Sequence, residues 1–300
     1  MRLAILRLNI VPDETTNDST TRGKQVNTIA DSLDANLFSA VGQCLDCTDP
    51  QEKIALTTAL ASRFASGQFD FADSSSPSPI ANPGRPSRPL LVDPRHLPQR
   101  KLGSSEGRVA LIHAVAHIEF NAINLALDAV YRFRGLPLEY YFDWIGIAAD
   151  EARHFSLLSA RLAELGYAYG DFDAHDGLWE MAVKTAGSCL ARMALVPRVL
   201  EARGLDVTPG MIMRLRAVGD LQTVAILEVI LDEEVAHVAA GSRWFAWCCA
   251  QIGSDPANTF DELLALHLRG SLRGPFNTEA RLRAGFSELE LERIAAMVPA

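Results

Sequence analysis

The chain lacks the excess of positive charge that broad binding to nucleic acids or anionic membranes requires. Its 300 residues carry a net charge of −9, whereas such binding leaves a basic footprint. It also lacks a run of about eighteen uncharged apolar residues, so no membrane span is expected. The first residues, MRLAILRLNIVPDE, have a short apolar run interrupted by Arg7 and Asn9 and no small-residue cleavage site, which predicts a cytoplasmic protein.

Aromatic residues are also scarce, at 7% of the chain, while alanine and leucine are abundant, and this balance favours helices over sheets. The five cysteines are an odd number without a disulfide pattern, which is typical of a reducing compartment. Cys44 and Cys47 have the spacing of half a zinc site, but no second pair completes it nearby. Phosphate-loop, dinucleotide and nucleophile-elbow motifs are absent from the sequence.

Two Glu-x-x-His motifs are the most informative feature that the sequence does contain. Glu151 and His154 form the first motif, and Glu234 and His237 form the second. Positions i and i+3 share one face of an α-helix, so each motif can direct a carboxylate and an imidazole at the same point. One such motif arises easily by chance, and the pair therefore needs support from other residues.

A further glutamate precedes each motif at almost the same distance. Glu119 lies 32 residues before Glu151, and Glu201 lies 33 residues before Glu234. Four carboxylates and two imidazoles on four helices are the ligand set of a dinuclear metal site in a helix bundle. An ionised carboxylate in such apolar helices is costly unless it is paired or metal-bound. We therefore predict a dinuclear iron or manganese site; ordinary surface salt bridges are the alternative interpretation.

Proline, glycine and apolar periodicity divide the chain into five segments. They are a flexible polar arm, a helical segment, a proline-rich strap, a metal-binding bundle and a helical tail, over residues 1–27, 28–71, 72–104, 105–252 and 253–300. The prolines of the strap exclude regular helix, and Leu90, Leu91 and Val92 are expected to hold it along the bundle. The four bundle helices are predicted over residues 105–134, 138–166, 177–203 and 220–252.

Glu201 is the least secure of the six predicted ligands. Gly204 predicts that the third bundle helix ends just beyond it, and Thr208-Pro209 predicts the start of a short helix. Glu234 lies well inside the fourth helix. The two glutamates can therefore meet only if residues 204–218 carry the chain onward past Glu201 before it turns.

Neighbouring charged residues leave alternatives open. Glu201 stands beside Arg203, so an exposed ion pair is its other interpretation, with Glu228 or Glu233 as the replacement ligand. Asp150 and Glu233 lie four residues before the two motif histidines. They either orient those rings or lie on a solvated helix face.

His113 and His117 form an i, i+4 pair that could bind metal in principle. Each lies about half a turn away from the direction of Glu119 on a helical wheel. We therefore expect hydrogen-bonded roles for both side chains.

The six residues give the chain a resemblance to known protein families. At Glu119, Glu151-x-x-His154, Glu201 and Glu234-x-x-His237, it resembles the ferritin-like di-iron carboxylate superfamily over residues 105–252. From about 83 to 286 it resembles a bacterial ferritin-like family of unknown function. The stretches that carry this closer resemblance are PGRPSRPLLVDPR, GSSEGRVALIHAVAHIEFNAINLALD, DEARHF, LEARGLDVTP and RGPFNTEARLRAGF.

The resemblance implies a ferritin-like four-helix bundle, with additional N-terminal helices, the strap and short C-terminal helices. It also implies a dinuclear site that handles O₂ or peroxide, with two glutamates bridging the metals. One metal would be held by Glu119, Glu151 and His154, and the other by Glu201, Glu234 and His237.

Three functions are compatible with such a site. The leading hypothesis is a di-iron oxygenase or oxidase that oxidises a small organic substrate. Iron handling or peroxide protection is the second, and a metal-stabilised helical scaffold without catalysis is the third. An electron donor and a homodimeric state are left open.

Overall fold

The computed structural model of the protein describes most of the chain. The described residues are 32–72, 76–98, 100–268 and 272–298. The flexible arm predicted over residues 1–27 lies outside them. Helices dominate the described part, where the only β-pairing is two isolated bridges. The prediction of an all-α protein is therefore confirmed.

Eleven α-helices are labelled here in chain order within the described residues. They are α1 (Leu37–Asp46), α2 (Pro50–Ala65), α3 (Ser105–Arg132), α4 (Leu138–Glu164), α5 (Gly177–Lys184), α6 (Cys189–Leu195), α7 (Ala202–Ala217), α8 (Leu221–Gln251), α9 (Pro256–His267), α10 (Thr278–Arg283) and α11 (Glu288–Ala296). A π-helical turn, Val196–Glu201, joins α6 to α7 without a break.

The helices α3 and α4 form the central hairpin, and the other elements pack around it. Helices α1 and α2 cover α3 and α4 on one side, while α8 contacts α4 and α7 on the other. One contiguous apolar cluster runs from α1 to α11. The segments predicted on either side of the bundle therefore contribute to the same core.

Helix α3 begins at the predicted position and owes its stability to burial. The Ser104 side chain accepts a hydrogen bond from the Gly107 amide and caps the first turn. Among the described helices, only α3 is long and apolar enough to cross a membrane, with a mean hydropathy of 1.4 over its most apolar window. The protein itself buries 78% of that window. This is the pattern of a buried core helix.

The strap lies against the bundle, but polar contacts hold it there. The Trp179 indole donates a hydrogen bond to the Ala81 carbonyl at 2.9 Å. Arg85 forms an ion pair with Asp176 at 2.8 Å. Leu90, by contrast, is 51% exposed. The location was therefore predicted correctly, whereas the expected apolar attachment was wrong.

The third bundle helix differs most from its prediction. Instead of ending at Gly204, the chain continues through it into α7, and Pro209 lies inside that helix. A glycine and a proline in a helix interior cost roughly 1 and 3 kcal/mol. Burial of Leu205, Ile212 and Leu215 offsets this cost, since each large apolar side chain gains about 1.5–3 kcal/mol when it leaves water.

A buried arginine connects this composite helix to α3. Arg192 on α6 donates to Asp128 on α3 at 2.6 Å, to the Thr185 hydroxyl at 2.7 Å and to the Ala182 carbonyl at 2.6 Å. Arg132 also pairs with Asp128, at 2.6 Å. The Arg192 and Asp128 side chains are almost wholly buried, so each compensates a charge that water cannot reach.

The hydrogen-bonded roles expected for His113 and His117 are confirmed. The Gly170 amide donates to Nε2 of His113 at 2.9 Å. His117 lies 2.8 Å from the Tyr169 hydroxyl through Nδ1, and 3.0 Å from the His175 carbonyl through Nε2. Burial lowers the pKa of both histidines to about 4. Both rings thus join α3 to the segment after α4 as neutral imidazoles.

Replacing Arg192 by methionine should destabilise the protein by about 3 kcal/mol, because Asp128 stays buried with one cation instead of two. Chemical denaturation measures this change. The matched control is Arg216→Met, which breaks an exposed pair with Glu228 and should cost less than about 1 kcal/mol. An equal loss of unfolding free energy in the two variants would contradict a special role of the buried pair.

The His113→Gln variant tests the pH dependence of stability. The unfolded chain protonates His113 near pH 6.5, but the folded protein does so only near pH 4. Unfolding therefore takes up a proton between these values, and stability falls as the pH falls from 6.5 to 4. Denaturation at pH 7 and 4.5 measures the free energy of unfolding. Between these pH values it should fall by roughly 2 kcal/mol less in His113→Gln than in the wild type. His96→Gln, at an exposed position, should lose as much as the wild type.

Candidate metal centre

The six residues predicted as ligands lie on four helical stretches that face one another. Glu119 comes from the middle of α3, and Glu201 is the last residue of the π-helical turn. The two motifs occupy α4 and α8. Five of the six residues are buried, and Glu201 buries its Oε2 atom. The helices thus direct all six side chains into the interior.

Four of the residues meet closely enough to hold a metal ion. One potential ligand atom from each of Glu119, Glu151, His154 and Glu234 lies within 4.8 Å of the others. The Nδ1 atom of His154 is 3.2 Å from Glu119 Oε2 and 3.2 Å from Glu151 Oε2. The structure therefore brings both predicted halves of the site together.

Glu151 connects the two histidines. Its Oε2 atom faces His154, and its Oε1 atom lies 3.1 Å from Nδ1 of His237. The same Nδ1 atom is 3.5 Å from Glu234 Oε1. The two imidazole rings are 5.8 Å apart. A carboxylate with one oxygen towards each half is placed as a bridging ligand would be.

The outer nitrogens of the two histidines contact carboxylates in a crossed arrangement. His154 Nε2 lies 2.6 Å from Glu233 Oε2, and His237 Nε2 lies 3.4 Å from Asp150 Oδ2. Arg153 pairs with both of these carboxylates. Of the two alternatives, the ring-orienting role is therefore the observed one, but each acid supports the histidine of the other motif. Such partners hold the proton on Nε2 and leave Nδ1 free as a ligand.

Glu201 occupies the interior, and the exposed ion pair considered for it is not formed. Arg203 donates to the carbonyls of Arg273 and Pro275 and lies 3.5 Å from Asp206. Burial, with the nearby charges of Glu234 and Glu151, raises the pKa of Glu201 to about 8.

The two replacement ligands considered for Glu201 lie outside the cluster. Glu228 is half exposed and pairs with Arg216, while Glu233 supports His154. Of the three candidate carboxylates, Glu201 is therefore the one that the structure brings to the cluster.

Each carboxyl and imidazole group of this cluster shifts the pKa of its neighbours. Burial and the charge of Glu151 raise the pKa of Glu119, and burial with Glu151 also raises that of Glu234. Burial opposes ionisation of Glu151, but His237 and His154 outweigh it and lower the pKa. For both histidines, burial is outweighed by the carboxylates, which raise the pKa of His154 to about 11 and that of His237 well above its usual value. The cluster therefore binds positive charge tightly, as a metal site must.

Glu201 Oε2 is a buried carboxylate oxygen with no hydrogen-bond partner among the described residues. Glu151 Oε1 and His237 Nδ1 lie 3.1 Å apart as an ion-pair contact, but neither atom completes a well-aligned hydrogen bond. Leaving such atoms unsatisfied is costly in a protein interior. All three are atoms that bind divalent metals. The donor set therefore fits a metal ion better than it fits a closed network of hydrogen bonds.

A glycine on α8 makes the position of Glu201 possible, and the sequence reasoning missed it. Gly241 faces Pro197 in the π-helical turn, and a methyl group on Gly241 would overlap the proline ring. This close approach brings the turn, and with it Glu201, against the helix that carries Glu234 and His237. A glycine within an apolar helix was the available signal.

The fold and site define a helical protein with a buried glutamate and histidine cluster that can hold a metal ion. The chain belongs to the family described as "Protein of unknown function (DUF455)", which it matches over residues 46–292. It is 47% identical over 216 residues to an "Uncharacterized protein" of Haemophilus influenzae, an alignment that covers 70% of this chain and 75% of the relative. No solved structure matches the chain significantly.

The Gly241→Ala variant should separate the π-helical turn from α8. The added methyl group overlaps Pro197, so the turn must move, at an expected cost of about 1–3 kcal/mol and with weaker metal binding. Thermal unfolding with and without added Mn²⁺ measures both effects. Gly146→Ala is the control, because that position on α4 is open, and it should be neutral or stabilising by up to about 1 kcal/mol. Unchanged stability and metal response in Gly241→Ala would show that the close approach is unimportant.

Proposed function

We propose that the protein is a metal-dependent redox enzyme with a dinuclear iron–carboxylate centre in a ferritin-like bundle. It would use O₂ or peroxide to oxidise or hydroxylate a small organic molecule. The observation that carries the proposal is the set of six inward-facing donor residues, in which Glu201 Oε2 lacks a hydrogen-bond partner and Glu151 Oε1 and His237 Nδ1 make only an ion-pair contact.

The geometry supports an assignment of residues to two metal positions. Glu119 and His154 would serve one metal, and Glu201, Glu234 and His237 would serve the other. Glu151 would bridge them, since one of its oxygens faces each histidine. This sharpens the assignment that the family resemblance implies.

The side chains around the donors have defined tasks in this proposal. Glu233 and Asp150 accept the Nε2 protons of His154 and His237 and so fix both rings with Nδ1 inward. Phe120 and Phe155, which follow Glu119 and His154 in the sequence, are buried with their rings 5.3 Å apart and would keep that part of the interior dry. Two ferrous ions held by the six donor residues would supply the electrons for the reduction of O₂ or peroxide. The substrate and a separate electron donor belong to the same proposal.

Metal analysis and oxygen reactivity test the proposal together. Protein loaded anaerobically with Fe²⁺ should hold two ions per chain and change its near-ultraviolet absorbance on exposure to O₂. Glu201→Gln should hold at most about one ion and lose most of the oxygen response, because the amide lacks the negative charge of the ligand. Glu228→Gln makes the same change at an exposed position and should behave as the wild type does.

Other outcomes select among the competing functions. If the wild type, Glu201→Gln and Glu228→Gln all held two ions per chain, Glu201 would not be a metal ligand. Tight binding of Zn²⁺ without any response to O₂ in the iron form would favour a structural metal in a scaffold. A hollow multi-subunit assembly in light scattering, filled by added iron, would favour iron handling instead.

A further inference from the structure

A second cavity lies behind the π-helical turn and contains none of the six metal-site residues. Its volume is about 290 Å³, close to the lower limit of ordinary small-molecule pockets, which is roughly 300 Å³. Its walls come from the turn, α7, α9, α10 and α11, together with Leu268 and residues 272–276. The main apolar lining residues are Val199, Leu200, Phe260, Leu264, Leu268 and Phe276.

The charged residues that line this cavity are all arginines. They are Arg198, Arg203, Arg273 and Arg281, and no acidic side chain is among the described lining residues. Two buried carboxylates behind the wall compensate part of this charge. Glu290 pairs with Arg198 at 2.6 Å, and Asp206 pairs with Arg281 at 2.8 Å. Four guanidinium groups against two carboxylates leave an excess of two positive charges.

Arg198 is the most unusual of the four. Its side chain is 2% exposed, and its guanidinium lies 4.2–4.7 Å from the ring centres of Phe245, Phe260 and Phe286. Only Nη2 reaches Glu290, while Nε and Nη1 have no hydrogen-bond partner. A buried guanidinium with two unpaired nitrogens is costly, and a bound anion would offset this cost.

Arg203 and Arg273 place further charge where a ligand can reach it. The Arg203 side chain is 40% exposed and holds the backbone of Arg273 and Pro275 through its Nη1 atom. Arg273 is exposed. The cavity thus combines an apolar lining with one buried guanidinium, that of Arg198, and two accessible ones, those of Arg203 and Arg273. This distribution suits an amphipathic anion.

We propose that this cavity binds an organic carboxylate with a medium-sized apolar body. The apolar part lies between α9 and the π-helical turn, and the carboxylate meets the arginines. The residues form a binding site separate from the metal centre, and its ligand needs no metal.

Calorimetric titration of the full chain with three probes of one chain length tests the charge preference. Octanoate should bind with one molecule per chain and at least tenfold more tightly than octan-1-ol, since a hydrogen bond to a charged group contributes about 1.5–3 kcal/mol. Octyltrimethylammonium should not bind. Equal affinity for octanoate and octanol, or no binding of octanoate, would overturn the proposal.

Variants locate the site. Arg203→Gln should weaken octanoate binding at least fivefold and leave octanol unchanged, whereas Leu268→Trp should abolish both by filling the cavity. Arg214→Gln is the matched control, because Arg214 is exposed on α7 and does not line the cavity. If Arg203→Gln and Arg214→Gln lost octanoate affinity equally, the effect would reflect the overall charge of the protein, and the proposed site would be contradicted. Octanoate should bind equally to metal-free and iron-loaded protein, so failure of the metal proposal leaves this result intact.

Discussion

The burial of four carboxylates around two imidazoles is the constraint on which the rest of the structure depends. Charged groups that leave water must find opposite charge in the interior, or they shift their pKa and lose their charge. Here the histidines supply part of that compensation, and Glu119 and Glu201 respond with raised pKa values. The four helical stretches must therefore stay close enough for the carboxylates and the imidazoles to contact one another.

The same principle recurs away from the cluster. The Lys53 ammonium is fully buried and donates to the carbonyls of Cys44 and Leu45 and to Asn124 on α3. Burial lowers its pKa to about 8. Together with Arg192, it anchors the peripheral helices to α3 through polar contacts inside an apolar core. Buried polar contacts of this kind fix the orientation of packed helices more strictly than apolar packing does.

The sequence was sufficient to predict those parts of the fold in which local pattern and tertiary packing agree. The bounds of α3, α4 and α8 follow from apolar runs that end at Gly135, Gly166 and Gly253, each with positive φ. The region around Gly204 and Pro209 was predicted incorrectly, because helix-breaking residues were outweighed there by burial.

The site was predicted less completely than the helices. The spacing of residues along the chain predicts which side chains share one face of a helix. It does not predict how neighbouring helices are rotated relative to one another. It could therefore identify Glu233 and Asp150 as supporting acids, but not reveal that each supports the other motif. The arginine-lined cavity could not be inferred at all, because its lining residues come from separate segments that only the folded chain brings together.

The π-helical turn at Val196–Glu201 has a consequence for how this chain can vary. A π-helical turn contains one residue more than the α-helical turn it replaces, and each residue of an α-helix rotates the next side chain by about 100°. Loss of any one residue from the turn would restore a regular helix and rotate Glu201 away from Glu234. Homologous chains that keep the six-donor cluster should therefore preserve the length of this segment even where its residues differ.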